Sequence, residues 1–132
     1  MNSKTKGDIT QAKLELVFLM KGYTILSPRG DNQRYDFAIE KDGKFERVQC
    51  KTGRLRDGSV VFSSCSSSYH RNGKKQSYVN QIEYFGVYCP DNDTCYLIPE
   101  IKVNNKDACK LRIDIPKKAN SRFVWAKDYI LA

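Results

Sequence analysis

The sequence predicts an α/β domain: a mixed β-sheet flanked by helices, with a β-hairpin at its centre. Three observations support this. Apolar residues recur at helical spacing near the start, two alternating strands surround Asp42-Gly43, and further short apolar runs are separated by turn residues. The chain has 132 residues, 40% of them hydrophobic and 29% charged, which excludes disorder and a disulfide-dense miniprotein. One core and a single domain over residues 1–132 are expected.

The elements follow in order. Asp8 or Thr10 caps a helix reaching about Lys21, with Ile9, Ala12, Leu16, Leu19 and Met20 as its core stripe and Gly22 as its stop. Its polar face carries Asp8, Gln11 and Glu15. Residues 23–26 read as a short strand and 27–32 as a turn. Residues 34–51 are two strands around Asp42-Gly43, a strong two-residue hairpin signal. Opposed residues then have numbers summing to 85, so Asp36 faces Gln49, Ala38 faces Arg47 and Arg34 faces Lys51. Side chains alternate, which puts Tyr35, Phe37, Ile39, Val48 and Cys50 on a core face. Arg34, Asp36, Arg47, Gln49 and Lys51 share the other. Residues 59–64, 83–89 and 95–99 read as further strands, and 65–77 as a polar stretch.

Several function classes drop out. The longest apolar run falls far short of the ~20 residues of a membrane span, and the first six residues are polar, so a cytoplasmic protein with no membrane partner is expected. Five cysteines without a C-x-x-C pair and a single histidine, His70, argue for free thiols and against a zinc site. The net charge of +8 is uneven: eight Lys/Arg fall in residues 44–77 and eight in 102–127. That pattern suits a polyanion, and nucleic acid above all. On the polar face of the hairpin, a carboxylate beside an amide oxygen and an ammonium could hold a hard cation and a phosphate together. An ordinary solvent face with a cross-strand salt bridge is the other reading.

Longer strings carry a resemblance. Lys6-Gly7-Asp8, Gly30-Asp31-Asn32-Gln33-Arg34-Tyr35-Asp36, and Arg47-Val48-Gln49-Cys50-Lys51-Thr52-Gly53-Arg54 resemble the PD-(D/E)XK nucleases. More closely, they are similar to the homing endonucleases of restriction-enzyme fold encoded in bacterial group I introns. Residues 62–70 and 125–129 fit the same branch. The resemblance implies a restriction-endonuclease-like core, with the active site on the hairpin. It implies metal binding by Asp36, by Gln49 at the second acidic position and by the Cys50 carbonyl, with Lys51 acting on the attacking water. The family's helical glutamate falls at Gln11, with Glu15 one turn on as the fallback. Mg²⁺ is the implied cofactor. Gln49 and Gln11 each remove a negative charge from the pattern, and Gln11 is the substitution that would weaken cleavage while retaining DNA.

Hydrolysis of both strands of a long duplex target is the implied reaction. One small chain cannot span such a site, so a homo-oligomer follows, a dimer at least and a dimer of dimers by preference. The candidate DNA surface comprises Arg29, Arg34, Arg54, Arg56, Ser67, Tyr69, His70, Arg71, Lys74, Lys75 and Gln76, side chains suited to phosphates and groove edges. A solvated loop is the plainer reading of 65–77. A Holliday-junction resolvase and a DNA-binding module with a retired site remain as alternatives.

Overall fold

Asn2 starts the structure. Its side chain accepts the Thr5 amide at 2.8 Å and caps an 18-residue helix, α1 (Ser3–Met20). The helix therefore begins before Asp8 and Thr10, the expected caps. Asn caps as well as Asp does, and running the helix through Gly7 costs only about 1 kcal/mol. The computed structural model describes residues 1–67, 75–103, 107–115 and 123–132.

The helix also presents a different face from the one its spacing predicts. Thr10, Leu14, Val17 and Phe18 are buried, whereas Ile9, Ala12, Leu16, Leu19 and Met20 are exposed. Both stripes are apolar, so periodicity alone could not choose between them. Packing chooses: Phe18 meets Phe37 and Tyr23 edge-on, with centroids 5.9 and 5.2 Å away. Thr10 adds a hydroxyl contact of 2.6 Å to Thr52.

The strands in chain order are β1 (Thr24–Leu26), β2 (Phe37–Lys41), β3 (Lys44–Thr52), β4 (Arg54–Arg56), β5 (Ser59–Ser63), β6 (Cys65–Ser67), β7 (Lys75–Ser77), β8 (Tyr84–Cys89), β9 (Thr94–Pro99), β10 (Ala108–Arg112) and β11 (Val124–Trp125). Short 3₁₀ turns occupy Glu100–Lys102 and Ala126–Tyr129. The first sheet has the order β1-β2-β3-β8-β9, with β3 and β8 parallel and its other pairs antiparallel. The second has the order β11-β10-β5-β4, and β6 with β7 forms a separate ribbon within the stretch expected as a polar loop. Asp42 (φ 54°) and Gly43 (φ 82°) make the β2–β3 turn, a pair of left-handed residues that Asp-Gly accommodates. Pairing from Lys41↔Lys44 to Phe37↔Val48 follows the expected register.

Two cores result. One lies between α1 and the first sheet, built from Leu14, Val17, Phe18, Phe37, Ile39, Val48 and Cys95. The other lies between the sheets, with Val60, Phe62, Phe85, Val87, Ile98 and Leu111 at its centre. Gly86 lets α1 sit close, since a Cβ there would stand 3.0 Å from Val48 and 3.2 Å from Leu14. Among the described residues no helix is long and apolar enough to cross a membrane. Mixed strands with one long helix in front give the α/β class that was expected.

Candidate active site

Strand β3 threads between both cores, and its central residues Gln49, Cys50 and Lys51 are all half-buried. The expected register fails just where β2 begins. The Asp36 amide donates to the Val48 carbonyl at 2.9 Å, although Val48 is already paired with Phe37, so two residues oppose one. This is a β-bulge, a device that re-aims a side chain. Packing agrees with it: Tyr35 rests against the core between the sheets, whereas Phe37 points into the helix-side core. The ladder stops at Phe37, so Asp36 is not paired with Gln49, nor Arg34 with Lys51, and Tyr35 does not share the face of Phe37.

The bulge lodges the Asp36 carboxylate against β3. Its Oδ2 accepts the Cys50 amide at 2.7 Å. Burial raises the Asp36 carboxyl above its usual pKa, while the Cys50 hydrogen bonds and the Lys51 charge pull the other way. Glu15 on α1 is raised too, by burial and then by the negative charge of Asp36. The Cys50 thiol is pushed well up, by burial first and then by Asp36 and Glu15. These couplings bring Asp36, Glu15 and Cys50 into one electrostatic neighbourhood. Gln11 lies half-buried one turn before Glu15, and neither Gln11 nor Gln49 makes a side-chain hydrogen bond among the described residues.

Lys51 is anchored from the other side. Its Nζ donates to the Cys65 carbonyl at 3.3 Å and to the Tyr78 hydroxyl at 3.4 Å, and stands 5.0 Å from the Tyr78 ring centroid. The same ring carries the Arg34 guanidinium at 4.2 Å, and Arg34 donates to the Ser77 carbonyl at 2.9 Å. Cys65 and Ser77 are paired at the base of the β6–β7 ribbon. Arg47 leaves the group: its guanidinium pairs with Glu83, at 3.0 and 3.1 Å from Nε, and its amide donates to the same carboxylate at 2.7 Å. Tyr78 and Glu83 escaped the sequence reading. Tyr78, an aromatic directly after a basic stretch, was the available signal.

The donors suit a hard cation. Carboxylates of Asp36 and Glu15, amide oxygens of Gln49 and Gln11, and the Cys50 carbonyl are oxygen donors of the kind Mg²⁺ takes. Glu15, whose pKa is raised by burial and by the charge of Asp36, also gains from a cation beside it. Among the described residues no group of three His, Cys, Asp or Glu could hold a metal, so any such site draws on amide and carbonyl oxygens. Of the candidate DNA contacts, Arg29, Arg54 and Arg56 are exposed and Arg34 is half-buried. Ser67, Lys75 and Gln76 lie on the ribbon backbone, while Tyr69, His70, Arg71 and Lys74 fall outside the described residues.

The whole chain, residues 1–132, matches the PD-(D/E)XK endonuclease family and belongs to it; the protein is a DNA endonuclease. Its structure is similar to that of the bacterial homing endonuclease I-Ssp6803I, with a TM-score of 0.80 over 98% of this chain and 89% of that one at 21% identity. That likeness gives a restriction-endonuclease-like core. Comparison with curated proteins yields no match.

Proposed function

We propose that this endonuclease is a Mg²⁺-dependent, intron-encoded homing enzyme that cuts both strands of a long duplex target as a homo-oligomer of single-domain subunits in the cytoplasm. The carrying observation is the bulge at Asp36. It sets a carboxylate on the Cys50 amide, beside Glu15 and within the field of Lys51. Asp36, Gln49 and the Cys50 carbonyl would hold the metal, with Gln11 or Glu15 completing its shell from α1. Bound there, Mg²⁺ supplies charge stabilisation at the phosphoryl oxygens and a more acidic water.

The remaining work belongs to the chain. Lys51 approaches from the opposite side to the helix; its ammonium, steadied by the Cys65 carbonyl and the Tyr78 ring, orients the attacking water, and only its neutral amine would take the water's proton. The Cys50 amide holds Asp36 in one rotamer, so the carboxylate need not reorganise during the reaction. Two cuts need two sites, which favours a dimer or a dimer of dimers. The scarcity of acidic ligands favours one rival, a retired site that binds DNA without cutting it.

The experiment is incubation of duplex DNA bearing randomised inserts with the protein, in Mg²⁺ and in EDTA. Site-specific double-strand breaks that need Mg²⁺ are the expected result. Binding without any cleavage would leave the retired module as the answer.

A further inference from the structure

Away from the active site, the outer face of the second sheet gathers cations. Strands β4, β5 and β10 are adjacent, and paired residues share a face. One row across them reads Arg54, Val61, Lys110, and the next reads Arg56, Ser59, Arg112. The opposite face holds Val60 and Leu111, both 0% exposed, in the core between the sheets. Val61 and Ser59 are also buried, although they sit on the outer face. Strand spacing puts the flanking cations of one row about 10 Å apart and the two rows about 7 Å apart.

The four charges are uncompensated and partly fixed. None joins an ion pair among the described residues, where the pairs are Lys13–Asp93, Lys44–Glu46 and Arg47–Glu83. Arg112 donates to the carbonyls of Asp114 at 2.8 Å and Asp57 at 3.1 Å, which holds the guanidinium in place without neutralising it. The face is concave, a basin of ≈ 380 Å³ in which Asp57 is the one carboxylate. Basic residues on β4 have a plain explanation, because lysine and arginine keep an edge strand from pairing with other chains. That does not cover Lys110 and Arg112, whose strand lies inside the sheet between β5 and β11.

We propose that this face is a platform for the phosphate backbone of duplex DNA flanking the cut, with Lys110 and Arg112 joining Arg54 and Arg56 as its contacts. The inference rests on the DNA endonuclease reading. Arg54 follows Lys51 by three residues, so their Cα atoms lie within about 11 Å and one duplex can engage both. A three-strand face is broader than the two-stranded ribbon that enters a major groove, so it reads phosphates rather than base edges.

The test measures affinity for a random-sequence duplex without metal, across a salt series. The chain is compared with Arg56→Gln/Lys110→Gln and with Lys44→Gln, which removes a charge from the hairpin tip instead. Thermal melts check that each variant folds. The slope of log K against log salt should fall by ~0.9 per platform cation removed, hence ~1.8 for the double variant, with the Lys44 variant unchanged. An unchanged slope in the double variant overturns the platform while leaving the endonuclease reading intact. Flattening by the same amount per charge removed in both variants would reduce the effect to net charge and overturn it too. A parent chain that binds no duplex would sink both readings.

Discussion

Asp36 differs from a solvent-facing strand carboxylate by one inserted residue. Without the bulge it would sit across from Gln49; with it, the side chain accepts the Cys50 amide and its charge raises the pKa of Glu15 on α1. Of the two helical candidates, Glu15 is therefore the one expected to matter. Glu15→Gln should lower Mg²⁺-dependent cleavage by ~10²-fold while leaving metal-free DNA binding unchanged, as expected for one lost contact to the reacting assembly. Gln11→Glu should change the rate by less than tenfold. The measurement is single-turnover cleavage of a target duplex; a large gain from Gln11→Glu with no loss from Glu15→Gln would move the helical role to position 11. The sequence shows Asp8, Gln11 and Glu15 on one face but not which of them meets the hairpin. That depends on how α1 is rotated, and side-chain packing decides the rotation.

At the scale of elements, α1 shows where periodicity runs out. Ile9, Ala12, Leu16, Leu19 and Met20 have regular helical spacing, yet Leu14 and Phe18 carry the packing against Phe37 and Val48. Leu14→Ala should cost ~2–5 kcal/mol in urea unfolding, the usual range for a truncated core leucine, whereas Leu16→Lys should stay within ~0.5 kcal/mol. The reverse order would restore the face predicted from spacing. The hairpin was legible down to its pairing because Asp-Gly specifies a two-residue turn. The bulge was not, because alternation assigns Tyr35 and Phe37 to one side. Strand β10 was legible in principle, with Cys109 and Leu111 alternating with Lys110 and Arg112, but its charge spoke louder than its pattern.

Glu83 ties β8 to β3 through Arg47, and that junction titrates. The Arg47 guanidinium holds the Glu83 carboxyl below its usual value of 4.5. A carboxyl lowered in the folded state contributes stability above its unfolded pKa and loses it as pH falls through the folded value. Stability curves of the parent and of Glu83→Gln should therefore lie apart at neutral pH and converge below about pH 4.5, as read by urea midpoints. A constant gap across that range would mean the pair contributes nothing through its charge.

Across the whole molecule, cationic side chains gather in two places. Lys51 and Arg34 share the Tyr78 ring at the base of the β6–β7 ribbon, and the outer face of the second sheet adds four more charges. Net charge predicted a polyanion partner, and the family match assigns a nuclease, but only the folded arrangement links the ribbon base to the strand bearing Lys51. The most direct measurement of the central claim is Asp36→Asn, with Mg²⁺-dependent cleavage and metal-free DNA affinity measured on the same folded protein. A rate loss of at least ~10²-fold with affinity retained is expected if the carboxylate holds the metal as proposed, since it belongs to neither core. Cleavage at the parent rate would contradict it.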